Sequence, residues 1–290
     1  MILNTRQPLI SVIIPMYNAE KTIKECIESL LNQDFPKYCY EVIVVDNNST
    51  DRSVEVIKSY PIRIVHCPKR GAYVARNTGA RYARGEILAF TDADCVVSKN
   101  WLREIYNSFR DGDIAAVQGP GNLTFQRDLK VKVECLTREM TKEAFWGDTK
   151  NFAVRKSVFE KVGGFEQFFT GCDALFLQTL RSKGYNVIFN ENMIVYHYFP
   201  TDFLKLIKKN WRHGFGDVYI AKRLYNINRI LKIKHMLYSN FRYSFKVFSL
   251  DNSLLEKIYM WLYFITSLQV RSLSYLINSF HPIIISNKQI

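Results

Sequence analysis

These 290 residues contain no CxxC pair, no GxGxxG, no solenoid-length repeat and no low-complexity tract. Each absence removes a class. Without ligand spacing, the six cysteines at 26, 39, 67, 95, 135 and 172 do not read as a zinc site. They read as small apolar residues in a reducing compartment. Without GxGxxG, Gly71, Gly79 and Gly85 are turn and packing glycines, with Gly85 ending a helix, rather than a phosphate cradle. The opening MILNTRQPLISVIIP carries one arginine and an apolar stretch broken by proline. It is read as leading into a strand rather than as a secretion signal, so the part of the chain that follows is expected in the cytoplasm.

Long apolar runs are also missing. Ile258–Val270 has thirteen residues free of formal charge, Arg271 interrupts, and Pro282 breaks the next uncharged stretch. Neither stretch reaches the ~18–20 residues of a spanning helix. One continuous span would place Arg271 near the bilayer centre at a cost of about 2.5–3.5 kcal/mol.

What is present is positive charge, unevenly placed. Of the net +13, the 47 residues from Pro200 to Lys246 hold eleven Lys or Arg against two Asp. Such a segment suits a polyanion: nucleic acid, an anionic membrane face or a phosphorylated lipid. The plainer assignment is a solvated helix face. With the aromatic stretch that follows, residues 201–290 are expected to form a basic, aromatic helical extension. It would lie on the cytoplasmic face of an anionic membrane or form a homodimer interface.

The first 120 residues alternate between strand and helix patterns. Ser11–Pro15, Glu41–Val45, Ile62–His66, Glu86–Thr91 and Ile114–Gln118 read as strands. Between them, helices are expected near Ile23–Leu31 (with Asn18 as cap), Ser53–Lys58 (capped by Thr50 or Asp51), Gly71–Ala83 and Trp101–Phe109. This alternation predicts an α/β fold, a mostly parallel sheet covered by helices on both faces.

Ligands of such sheets bind at the carboxyl ends of the strands. Asp46 follows one strand end, and Asp92 and Asp94, in FTDADCV, follow another. Acids gathered at that mouth suit a hard cation, Mg²⁺ or Mn²⁺, which takes carboxylate oxygens and shares its other positions with water and phosphate. The competing assignment has Asp92 capping a helix and Asp94 in solvent.

Read in order, SVIIPMYNAEKTIKECIESLLNQ, EVIVVDNNSTDRS, GAYVARNTGARYARGEILAFTDADC, GDTKNFAVRKSVFEKVGGF and GCDALFLQTLRSKGY resemble the family 2 glycosyltransferases. That resemblance implies the GT-A fold, a Rossmann-like variant. The catalytic domain would be 1–200, with a nucleotide-sugar half at about 9–120 and an acceptor half at about 121–200.

It also implies roles. Pro15, Tyr17 and Asn18 would touch the base, and Asp46 would accept hydrogen bonds from base or ribose. Arg76 and Asn77 would lie beside the donor phosphates, with Arg70 as the alternative cation. Asp92 would sit near ribose and metal, Asp94 would ligate the metal directly, and His197 matches a metal- or donor-contacting histidine. Asp173 would be the general base of an inverting transfer.

Relatives commonly carry Gly-Glu-Asp-x-Asp/Glu-Leu where this chain has Gly171-Cys172-Asp173-Ala174-Leu175-Phe176. Fewer neighbouring acids would let Asp173 ionise more easily. Its bland role is to cap the helix Ala174–Lys183. Trp146 and Trp211 are candidates for the acceptor side or for plain packing.

The implied function is transfer of a sugar from a UDP- or GDP-sugar to a lipid-linked or membrane-proximal glycan. The alternatives are a non-catalytic nucleotide-sugar-binding relative and a sugar-nucleotide pyrophosphorylase. The second lacks its Gly-rich signature in IIPMYNAEK. No nucleic-acid partner is expected, because no recognition module is present.

Overall fold

The computed structural model describes residues 8–121, 124–126, 128, 148–168 and 171–199, with short stretches at 207–208, 210–214, 253–258, 261–262, 270 and 272–274. The chain divides into two compact units. One takes Met1–Phe125 with Ala144–Tyr198, the other Gln126–Glu143 with Phe199–Ile290.

In the first unit, strands β1 (Ile10–Met16), β2 (Tyr40–Asp46), β3 (Arg63–His66), β4 (Ile87–Phe90), β6 (Ile114–Gln118), β7 (Phe152–Arg155) and β8 (Asn186–Phe189) form one sheet. Its order is β3-β2-β1-β4-β7-β6-β8. A separate ribbon pairs β5 (Cys95–Val97) with β9 (Val195–His197). The helices are α1 (Ile23–Leu31), α2 (Ser53–Ile57), α3 (Ala72–Tyr82), α4 (Trp101–Ser108), α5 (Lys156–Lys161) and α6 (Cys172–Ser182).

Period-two burial explains the layers. On β1, Val12 and Ile14 face one way and join Ile23, Ile27 and Leu30 of α1 and Trp101 and Ile105 of α4. Ile13 faces the other way, into a cluster with Ala75 and Ala80 of α3 and Phe176 and Leu180 of α6. Phe90, Phe152, Phe159, Phe165 and Phe176 pack edge and face in that second layer. Both faces of the inner strands β1, β2 and β4 are buried, which is why they read as unbroken apolar runs, whereas the edge strands β3 and β8 are largely exposed or half-buried.

The α/β expectation holds, with two refinements. The sheet is mixed, because β7 runs antiparallel to both β4 and β6. Gln118 lies opposite Phe152, so the chain leaves β6 and re-enters β7 at the same edge and must run back. The ribbon strand β5 was not expected. Three residues between an acidic turn and a helix give too short an alternation to register.

Two local expectations are corrected. Asn18 does not cap α1, which starts after Thr22. It sits at φ +49, a left-handed position that asparagine tolerates, and turns its amide to Thr50. Gly85 does not end α3 in a left-handed turn. A Cβ there would lie 2.7 Å from the Ser11 nitrogen and 2.8 Å from the Ile10 carbonyl carbon. Glycine is required because the chain passes directly against β1.

In the second unit, Gln126 and Phe199 exchange hydrogen bonds, side-chain amide to backbone. Ser253 and Glu256 form a reciprocal cap on the turn that follows. Beyond it Leu254, Leu255, Ile258 and Leu262 are exposed. Among the described residues no helix is long and apolar enough to cross a membrane.

Candidate active site

The sheet brings the predicted acids to one edge. Met16 is level with Asp46, and Ile13 with Phe90, so Asp46 and Asp92 leave the same ends of β2 and β4. With β1 between them they stand two strand spacings apart, about 10 Å. They therefore serve different parts of one mouth.

The Asp46 side is built by side-chain amides. The Asp46 carboxylate accepts from the Ser49 N–H at 3.1 Å and lies 3.3 Å from Nδ1 of the exposed His66. Asn47 is buried. Its amide donates to the Cys67 carbonyl at 3.0 Å and the Lys69 carbonyl at 2.7 Å, and accepts from the Gly71 N–H at 2.7 Å. Asn18 and Thr50 tie the loop after β1 to the loop after β2. Pro15 lies in β1 opposite Val45. Tyr17 stands half exposed beyond it, with the Arg70 guanidinium 5.0 Å from its ring centroid. Tyr17, Asn18, Asp46 and Arg70 thus lie on the loops and strand ends of one side of the mouth.

The Asp92 side is charged. Arg76, buried on α3, pairs with the Asp92 carboxylate. Burial alone would lower the guanidinium, but Asp92, then Tyr73 and Asp173, hold it above its ordinary value. Asn77 is used differently: both ends of its amide bond the backbone of Phe165, fastening α3 to the turn before α6.

Asp94 meets His197 across the β5–β9 ribbon, Oδ2 to Nε2 at 3.3 Å. The Tyr198 N–H donates to the Asp94 carbonyl at 2.9 Å and keeps the ribbon closed at this end. Among the described residues, the potential ligand atoms of Asp94, Cys95 and His197 lie within 4.8 Å of one another. Burial raises the Asp94 carboxyl, but His197 and the Lys150 ammonium outweigh it and hold it below the usual range. The Cys95 thiol is pushed well up by burial, then by Asp92 and Asp94. It stays protonated and does not suit a hard cation, whereas the carboxylate and the imidazole do. Asp92 is outside this group, engaged by Arg76.

Asp173 is the second residue of α6, after Gly171 at φ +80. It does not cap the helix from outside; its Oδ1 accepts from the adjacent Ala174 N–H at 3.0 Å. The expectation of easier ionisation is reversed. Burial first, then the Asp148 carboxylate, raise its carboxyl above the usual range, against Ala174, Arg76 and Tyr73. Asp148 replaces in space the like charge that Cys172 and Leu175 removed from the sequence.

Asp148 pairs with the buried Lys150. These two close a chain of charges, from Asp173 to Asp148, Lys150, Asp94 and His197. Sequence reasoning assigned them no role, although GDTKNF contains both. A lysine two residues from an aspartate before an apolar strand was the available signal. Trp146 lies outside the described residues, and Trp211 belongs to the other unit, where its carbonyl accepts from Ser274 Oγ.

A model of the family described as glycosyl transferase family 2 matches residues 11–171. The glycosyltransferase AglE of Haloferax volcanii is 31% identical over 227 residues, covering 73% of this chain and 74% of that protein. A Methanococcus voltae protein, dolichyl N-acetyl-alpha-D-glucosaminyl phosphate 3-beta-D-2,3-diacetamido-2,3-dideoxy-beta-D-glucuronosyltransferase, is 28% identical over 243 residues, 75% of this chain and 76% of its own. In fold, the chain is similar to the mannosyltransferase PcManGT of Pyrobaculum calidifontis, solved with GDP-Man and Mn²⁺. The TM-score is 0.65 at 20% identity, over 94% of this chain and 88% of that one.

Proposed function

Because the chain belongs to glycosyl transferase family 2 and is a sugar-transferring enzyme, we propose that it moves a sugar from a UDP- or GDP-sugar to a hydroxyl of a lipid-linked or membrane-proximal glycan, with inversion and with Mg²⁺ or Mn²⁺. The observation that carries this reading is the set of acids at one mouth: Asp94 beside His197, and Asp92 paired with Arg76, whose charge also acts on Asp173.

Asp94 and His197 would hold the ion, which when bound neutralises charge on the departing diphosphate. Tyr17, with Arg70 over its ring, would flank the base, and Asp46 would accept from base or ribose. Arg76 fixes Asp92 at the ribose side. Asp173 takes the proton of the acceptor hydroxyl on a carboxylate oxygen. The acceptor oxygen bonds to the anomeric carbon as the bond to the diphosphate oxygen breaks on the opposite face. A carboxyl raised by burial is the stronger base, which suits this task. The kept carboxylates favour catalysis over a non-catalytic relative, and the family match sets the pyrophosphorylase aside.

The acceptor class rests on the basic tail and on the dolichyl phosphate named for the Methanococcus relative. GDP-Man and Mn²⁺ in the Pyrobaculum structure support the donor and metal classes. In this reading the tail would lie against the cytoplasmic face of an anionic membrane, and the exposure of Leu254, Leu255, Ile258 and Leu262 supports that contact. A homodimer through the same residues is the rival outcome.

Nucleoside diphosphate release from a panel of nucleotide sugars, with and without lipid acceptor, tests the reading. Release should need the metal and stop with EDTA. Asp173→Asn should bind donor normally yet lose turnover by ~10²–10⁴-fold. Full rate in that variant removes Asp173 as base. Co-sedimentation with anionic vesicles that survives loss of residues 201–290 removes the membrane role of the tail.

A further inference from the structure

His66 is an exposed side chain that gains little from burial, yet it is held against an acid of the mouth. It ends β3, the edge strand, level with Asp46 on β2. Its Nδ1 lies 3.3 Å from Oδ2 of Asp46, and the two side chains are 63% and 10% exposed. An open imidazole thus meets a nearly buried carboxylate.

The backbone keeps the two residues together. The Cys67 N–H donates to the Asp46 carbonyl at 2.8 Å, which carries the strand pairing one residue past His66. The side-chain amides of Asn47 and Asn48 donate to the Cys67 carbonyl at 3.0 and 3.1 Å. On the carboxylate itself, Oδ1 accepts from the Ser49 N–H at 3.1 Å, and Oδ2 faces His66. Each oxygen has one fixed neighbour, so the plane of the carboxylate is set from both sides.

A carboxylate only accepts, so this contact puts the hydrogen on Nδ1 of His66. Each carboxylate oxygen keeps a further lone pair for a ligand. Uracil and guanine offer a ring N–H on the Watson–Crick edge, whereas cytosine and adenine present a lone pair at the same place. A carboxylate held in one orientation therefore selects for the first two.

We infer that His66 is a positioning residue for recognition of the donor's base, its Nδ1–H fixing the Asp46 carboxylate toward the ring N–H of uracil or guanine. This rests on Asp46 taking the base rather than the ribose. Calorimetric titration of the full chain with UDP and with GDP, each with Mn²⁺, reads it. His66→Ala should weaken whichever nucleotide the parent binds by about 3–10-fold, the scale of one hydrogen bond. Donor KM should rise by a like factor while kcat at saturating donor holds, since His66 stands on the Asp46 side of the mouth. His66→Asn, whose amide N–H can take the place of Nδ1–H, should restore most of the affinity. Once Asp46 is Asn, His66→Ala should cost nothing further, because it acts through that carboxylate.

Parent-like affinity in His66→Ala, no recovery in His66→Asn, or losses that add in the double variant would overturn the inference. An Asp46→Asn variant that binds nucleotide as the parent does would instead bring down the base assignment, and a parent that binds neither nucleotide would bring down the donor reading.

Discussion

The Asp94 carboxylate lies 3.3 Å from Nε2 of His197 because β5 and β9 pair antiparallel with Cys95 opposite His197. A ribbon three residues long on each side therefore decides whether a cation site exists. Lys150, buried and paired with Asp148, adds positive charge beside it.

His197→Ala should leave the first unit folded, since His197 ends a strand of the ribbon outside the main sheet. Manganese affinity should fall by at least the ~10–100-fold typical of outer-shell losses. Manganese titration with and without nucleotide reads this directly, and unchanged affinity would exclude His197 as ligand.

Asp173 and Asp94 predict opposite responses to acid. The folded Asp173 carboxyl sits above the usual range, so kcat should fall with acid while ordinary carboxylates are still ionised. Its extra proton affinity belongs to the folded state, so its contribution to stability is present at low pH and is lost as pH rises through the folded value. Asp94 is held low. Its contribution is present above the ordinary carboxylate range and is lost only as pH falls through the depressed value. Thermal melts of Asp173→Asn and Asp94→Asn against pH should diverge from the parent with opposite slopes.

Asn47→Ala should be costly. It removes the amide bonds to the Lys69 carbonyl and the Gly71 N–H, while the Cys67 carbonyl keeps the Asn48 amide. Leaving such groups buried costs about 1–3 kcal/mol each where water cannot replace the bond. Denaturant unfolding should show the loss, and donor KM should rise as the loops after β2 and β3 separate.

Gly85→Ala tests the close pass against β1. The added methyl meets backbone at 2.7 Å, which cannot rotate aside. Overpacking of this kind costs about 1–3 kcal/mol. The thermal midpoint should drop while activity per folded molecule is kept, because Gly85 lies at the opposite strand end from the mouth.

Much of this was legible in the chain. The strands of the sheet's parallel core are apolar on both faces, so their positions showed as continuous runs, and the acids at their ends followed from topology alone. The reversal of β7 was not visible, because strand direction depends on which edge the chain re-enters. Asn18 was misread because a cap and a cross-loop latch use the same residue type. Asp148 escaped because its like-charge role toward Asp173 is created by folding, not by spacing.

The most direct trial of the whole account is a crystal grown with manganese and a hydrolysis-resistant nucleotide sugar. The account predicts an anomalous manganese peak bonded to the Asp94 carboxylate and His197 Nε2, with Asp173 facing the anomeric carbon on the side away from the diphosphate. Manganese bound elsewhere, or a sugar whose far face meets no Asp173 oxygen, would contradict it.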